Sequence, residues 1–123
     1  MPRKPSPALT DAEARVMAVL WRQQPVTVAD VVAALKKKQS SYSTIQTILR
    51  ILETKGYVTH EKVARAFYYR PRVDERQARR RALRHLLARL FDNSPSLLVL
   101  NVLEDEQIAA AELARVKKLI EEA

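Results

Sequence analysis

Along most of the chain the apolar positions recur at helical spacing, and over one stretch of about a dozen residues they switch to the alternation of strands. Thr10-Asp11-Ala12-Glu13 reads as a capping box, and Val16, Met17 and Leu20 with Trp21 mark a first helix to about Gln23, with Leu9 placed to staple it. Pro25 breaks the chain. Thr27-Val28-Ala29-Asp30 then opens a second helix, with Val28, Val31, Val32 and Leu35 in one stripe, which closes in Lys36-Lys37-Lys38. From Ser41 to Gly56, Ile45, Ile48, Leu49 and Leu52 gather on one side of a third helix, while Ser43, Gln46, Thr47, Arg50 and Thr54 occupy the other. Ser43 and Gln46 are spaced for a capping box, Lys55 suits the helix C-terminus, and Gly56 suits a left-handed cap.

Between Tyr57 and Arg70 the residues are aromatic and β-branched, which predicts a hairpin of two strands around Val63-Ala64-Arg65, either a wing or a small sheet that only covers the core, the latter compatible with Phe67 and Tyr69 packing inward on one face. Asp74 can cap a long helix to about Phe91 carrying Leu83, Leu86, Leu87 and Leu90 in one stripe. Ser94-Pro95 starts a helix that is almost wholly apolar through Leu97, Leu98, Leu100 and Leu103. A last helix follows the acidic Glu104-Asp105-Glu106, with Ile108, Leu113, Val116, Leu119 and Ile120 partly on one face. Three helices of about 50 residues with this much apolar surface would be marginal alone, so burial against a second copy is expected.

The expected fold is mainly α with a small β-hairpin wing: a winged helix-turn-helix domain over 9–72, then a helical dimerisation region over 73–123. Residues 1–8, with three prolines and little apolar surface, are expected to form a loose arm.

The third helix has an unusual polar face. A merely solvated face usually carries paired Glu and Lys, whereas this one offers hydroxyls, an amide and a guanidinium, which can meet base edges or phosphates without repelling a polyanion. A threonine-rich solvated helix remains the competing reading from this segment alone. Ser43, Thr44, Gln46, Thr47, Arg50 and Lys55 are the candidate DNA contacts, joined by Lys62 and Arg65 near the hairpin tip.

Charge favours a polyanionic partner for the front of the chain. The 22 basic and 14 acidic residues give +8 overall, divided as +8 over 1–72, +3 over 73–92 and −3 over 93–123. Without cysteine there are no disulfides, thiolate metal sites or cysteine nucleophiles, and no metal or cofactor is expected. One glycine in 123 residues excludes a glycine-rich phosphate loop. No segment has the length and apolarity of a membrane span or signal peptide, so a cytoplasmic protein without membrane insertion is expected. His60 and His85 lack a neighbouring nucleophile or metal-ligand spacing, which argues against an enzyme.

The ordered motifs L-T-D-A-E-A-R-V-M-A-V-L-W at Leu9, T-V-A-D-V at Thr27, Y-S-T-I-Q-T-I-L-R-I-L-E-T-K-G at Tyr42 and R-A-F-Y-Y-R-P at Arg65 resemble the BlaI/MecI/CopY family of winged-helix repressors. A-R-R-R-A-L-R-H-L-L at Ala78 and S-P-S-L-L-V-L-N-V-L-E-D-E at Ser94 extend the resemblance into the dimerisation region of the penicillinase repressors. The resemblance implies a homodimer on a double-stranded operator with dyad symmetry, each third helix in a major groove. It also implies release when a membrane-bound metalloprotease sensor triggers cleavage at an Asn-Phe bond, to which Asn101-Val102 corresponds with Val in place of Phe. Copper sensing through C-terminal cysteines is not expected in a chain without them. Two rival readings remain: a winged helix that binds protein, and a repressor whose apolar tail takes a small ligand.

Overall fold

A computed structural model describes residues 8–36, 40–105 and 107–122. The expected arm, apart from Ala8, and Lys37 and Lys38 lie outside the described residues.

Local capping chemistry starts the first two helices where the sequence predicts. Before α1 (Asp11–Arg22), Thr10 Oγ1 accepts from the Glu13 amide at 3.1 Å and Glu13 Oε1 accepts from the Thr10 amide at 2.8 Å. Thr27 and Asp30 make the same exchange at 3.1 and 2.9 Å before α2 (Val28–Ala34). Such a cap contributes about 1 kcal/mol. The second helix is shorter than expected, since Leu35 already caps it. In α3 (Tyr42–Thr54) the cap is Ser41, whose Oγ accepts from the Thr44 amide at 3.2 Å, and not the Ser43–Gln46 box. Ser41 is the extended residue, and Ser43 already lies within the first turn. Gly56 ends the turn at φ +84°, and the Tyr57 amide donates to Leu52 O at 2.9 Å.

The apolar stripes of the three helices meet in one core. Val16, Met17, Leu20, Val31, Ile45, Leu49 and Leu52 are fully buried with Tyr57 and Val58, each large aliphatic side chain contributing about 1.5–3 kcal/mol. Leu9, Trp21 and Ile48 pack against them, half-buried.

Strands β1 (Val58–Val63) and β2 (Ala66–Pro71) pair antiparallel with His60 opposite Tyr69 and Lys62 opposite Phe67. Tyr69 also pairs with Val26 through two backbone bonds of 3.0 and 2.7 Å, which anchor the hairpin to the segment before α2. Only Tyr69 packs inward as expected. Phe67, nearer the tip and beyond the core, is 43% exposed. The two-residue loop holds Ala64 at φ +56°, a conformation that costs an alanine roughly 1 kcal/mol. Ala64→Gly should therefore raise the melting temperature slightly, and an unchanged or lower value would show that the turn carries no such cost.

The chain divides into two compact units between Leu83 and Arg84, inside α4 (Glu75–Leu90). The first unit runs past the expected junction at 72/73 because Val73 and Ala78 are part of its core. Trp21 Nε1 donates to Val73 O at 2.9 Å, and the Arg81 guanidinium lies over the Tyr57 ring at 5.3 Å. Asp74 and Gln77 form the cap of α4.

In the second unit Asp92 and Asn93 take left-handed φ values after α4, and Ser94 caps α5 (Pro95–Glu104) by accepting from Leu97 N at 3.1 Å. The chain ends in α6 (Ala110–Glu122). Neither α5 nor α6 contains a buried residue: Leu98, Val102, Leu113 and Val116 are half-buried, while Leu97, Leu100, Leu103, Leu119 and Ile120 are exposed. In the α4 stripe Leu86 and Leu87 are half-buried and Leu83 and Leu90 exposed. No helix among the described residues is long and apolar enough to cross a membrane.

Candidate nucleic-acid interface

The polar side of α3 and the inner face of the hairpin enclose an open cleft of about 440 Å³, lined by Gln46, Arg50, Glu53, Thr54, His60, Phe67 and Tyr69. At the N-terminal end of α3, Ser41 Oγ lies 2.9 Å from Thr44 Oγ1 and 3.3 Å from Ser43 Oγ, so three hydroxyls cluster where the helix dipole is positive. One turn on, the Thr47 hydroxyl donates to Ser43 O at 2.9 Å, and the Thr54 hydroxyl donates to Arg50 O at 3.1 Å. Ser43, Thr44, Thr47 and Arg50 are exposed and Gln46 half-buried. Arg50 makes no hydrogen bond or ion pair among the described residues, which leaves its five donors free for an outside acceptor.

Lys62 and Arg65 are exposed on the hairpin, Lys62 with its ammonium 5.7 Å from the Phe67 ring centroid. Lys55 does not join them. Its Nζ is buried, 2.7 Å from Glu13 Oε1 and 2.9 Å from Ala8 O, because α3 packs against α1 in the core and sets its last residues beside the start of α1. A lysine so enclosed is a structural tie and not a DNA contact.

The face is also less free of acid than the sequence suggested. Glu53 follows Arg50 by three residues and so shares its side of the helix, where its carboxylate meets Nδ1 of His60. Burial, and then the negative Glu53, hold the Tyr69 phenol above its ordinary value, with Arg50 opposing, so the phenol stays neutral. Alternation along the strands could have found this group: His60 and its partner Tyr69 fall on the same face as Lys62 and Phe67.

The sequence profile of the penicillinase repressor family matches residues 9–122. The chain belongs to that family. It is therefore a DNA-binding repressor and not an enzyme. It is 33% identical over 120 residues to the penicillinase repressor of Bacillus licheniformis, a match covering 97% of this chain and 94% of that protein. It is 22% identical over 113 residues to the methicillin resistance regulatory protein MecI of Staphylococcus aureus, covering 91% and 92%. The solution structure of the DNA-binding domain of the repressor BlaI superposes with a TM-score of 0.51 at 39% identity, covering 59% of this chain and 90% of that one. For this penicillinase repressor family member the mainly helical fold with its hairpin is thus that of a winged-helix DNA-binding domain.

Proposed function

We propose that two copies of the chain, joined through the helices beyond Leu83, set their α3 helices into successive major grooves of an operator with dyad symmetry and so repress transcription. One observation carries the dimer: α5 and α6 have no buried residue although much of their surface is leucine, valine and isoleucine. An isolated chain would leave that surface in water, and a second copy removes it. Ser43, Thr44, Gln46, Thr47 and Arg50 then face the groove, and Lys62 and Arg65 run along the phosphates, within the cytoplasm where the DNA is. Cleavage by a membrane-bound metalloprotease sensor at Asn101-Val102 would release the operator by separating the two halves of the tail. Asn101 is exposed on α5 with its Nδ2 donating to Leu97 O at 2.8 Å, and Val102 is half-buried.

Sedimentation equilibrium of the full chain should give twice the chain mass, and a monomer at micromolar concentration would refute the dimer. On a palindromic duplex selected by the protein, Arg50→Ala should weaken binding by roughly 1–3 kcal/mol and lower the preference over random duplex. An equal loss on both duplexes would assign Arg50 to phosphate contact.

A further inference from the structure

The cleft between α3 and the hairpin holds an acid beside the surface that meets a polyanion, and a histidine is built against it. Nδ1 of His60 meets Oε1 of Glu53, with the two side chains 37% and 38% exposed. The imidazole is steadied from β2 as well: the Phe67 ring meets it edge-on at 5.2 Å and 86°, and the Tyr69 ring lies tilted at 5.5 Å. The contact thus links the recognition helix directly to the wing, seven residues apart in sequence. Gln46 and Arg50, two of the candidate base contacts, line the same cleft.

We propose that Glu53 and His60 are positioning residues whose shared proton couples operator binding to pH. The inference rests on the repressor reading above. With the imidazole protonated, the pair is a neutral ion pair that holds the wing to α3 and leaves Nε2–H as a second donor. With the imidazole neutral, the Glu53 carboxylate loses its ion-pair partner next to approaching phosphates, which repel it. DNA therefore binds the protonated form more tightly.

The other groups around His60 are Arg50 on α3, Tyr69 on β2, and Lys62 along β1 above the Phe67 ring; Glu61 and Arg70 line a hollow beside it. Among these side-chain types, imidazole is the one that ordinarily changes charge between about pH 5 and 8. The sign follows: affinity is full at the acid end of that range and falls as pH rises, by up to one decade per pH unit for each proton released.

The probe is a duplex recovered by the full chain from a random-sequence library at about pH 6, the acid side of the imidazole range. Its Kd is measured at constant ionic strength up to about pH 8 for the parent protein, His60→Gln, Glu53→Gln and His85→Gln, each checked by thermal melting. The parent and His85→Gln should weaken on the order of tenfold or more across the range, while His60→Gln stays weak and flat and Glu53→Gln loses most of the slope. A flat parent profile, or a His60→Gln profile as steep as the parent's, overturns the coupling. Failure to recover any duplex overturns the repressor reading itself, and the coupling with it.

Discussion

A chain ending after Leu83 should fold, remain monomeric and bind a palindromic operator on the order of 10²–10⁴ times more weakly than the full chain. The fold survives because, among the described residues, every buried side chain, from Glu13 to Ala78, lies before that point. Affinity falls because the second half-site is no longer presented at high effective concentration once the first is occupied. Binding to an isolated half-site should change little, which separates lost linkage from damage to α3. The cut matters: ending at Val73 would remove Ala78 from the core and Arg81 from the Tyr57 ring, and would test folding instead. Band-shift titrations on full and half operators decide it, and equal full-site affinity for the two chains would defeat the dimer reading.

Lys55→Ala should destabilise the protein by about 3–5 kcal/mol, because it strands the Glu13 carboxylate in a buried site. Both side chains of that pair are 5% exposed, and the Lys55 ammonium also satisfies Ala8 O. Small domains are stable by only about 5–15 kcal/mol, so the variant should sit near the folding threshold. Replacing both partners by methionine should recover much of the loss, since two well-packed apolar groups avoid the desolvation that the ion pair suffers. Urea unfolding of the single and double variants measures this. A loss below about 1 kcal/mol for Lys55→Ala would mean that water still reaches the pair as at a surface.

What could be read beforehand was what is short-range. The Thr10–Glu13 and Thr27–Asp30 boxes bind residues three apart, and Gly56 declares its left-handed turn by itself. The contacts that the sequence does not reveal join residues whose proximity only the folded core creates. Lys55 and Glu13 are 42 apart in sequence, so nothing local distinguishes Lys55 from a free cation at a helix end. Val26 pairs with Tyr69 across the molecule, where the sequence showed only a break at Pro25. The spacing from Arg50 places Glu53 on the same side of α3, but nothing local reveals that His60 lies against it. In the tail the apolar stripes are legible, while which of their members stay in contact with water depends on the folded packing: Leu86 and Leu87 are half-covered, Leu90 and Leu119 are not.

The hydroxyl hydrogen of Thr47 is spent inside α3 on Ser43 O, and this limits what the residue can read. While so engaged the oxygen only accepts, so it complements the exocyclic amino groups of adenine and cytosine and is silent toward guanine O6 and thymine O4. Its methyl remains free to touch the C5-methyl of thymine. Were Thr47 to meet a base edge, it would act as a filter against keto groups, a selectivity that a serine could imitate at the oxygen but not at the methyl.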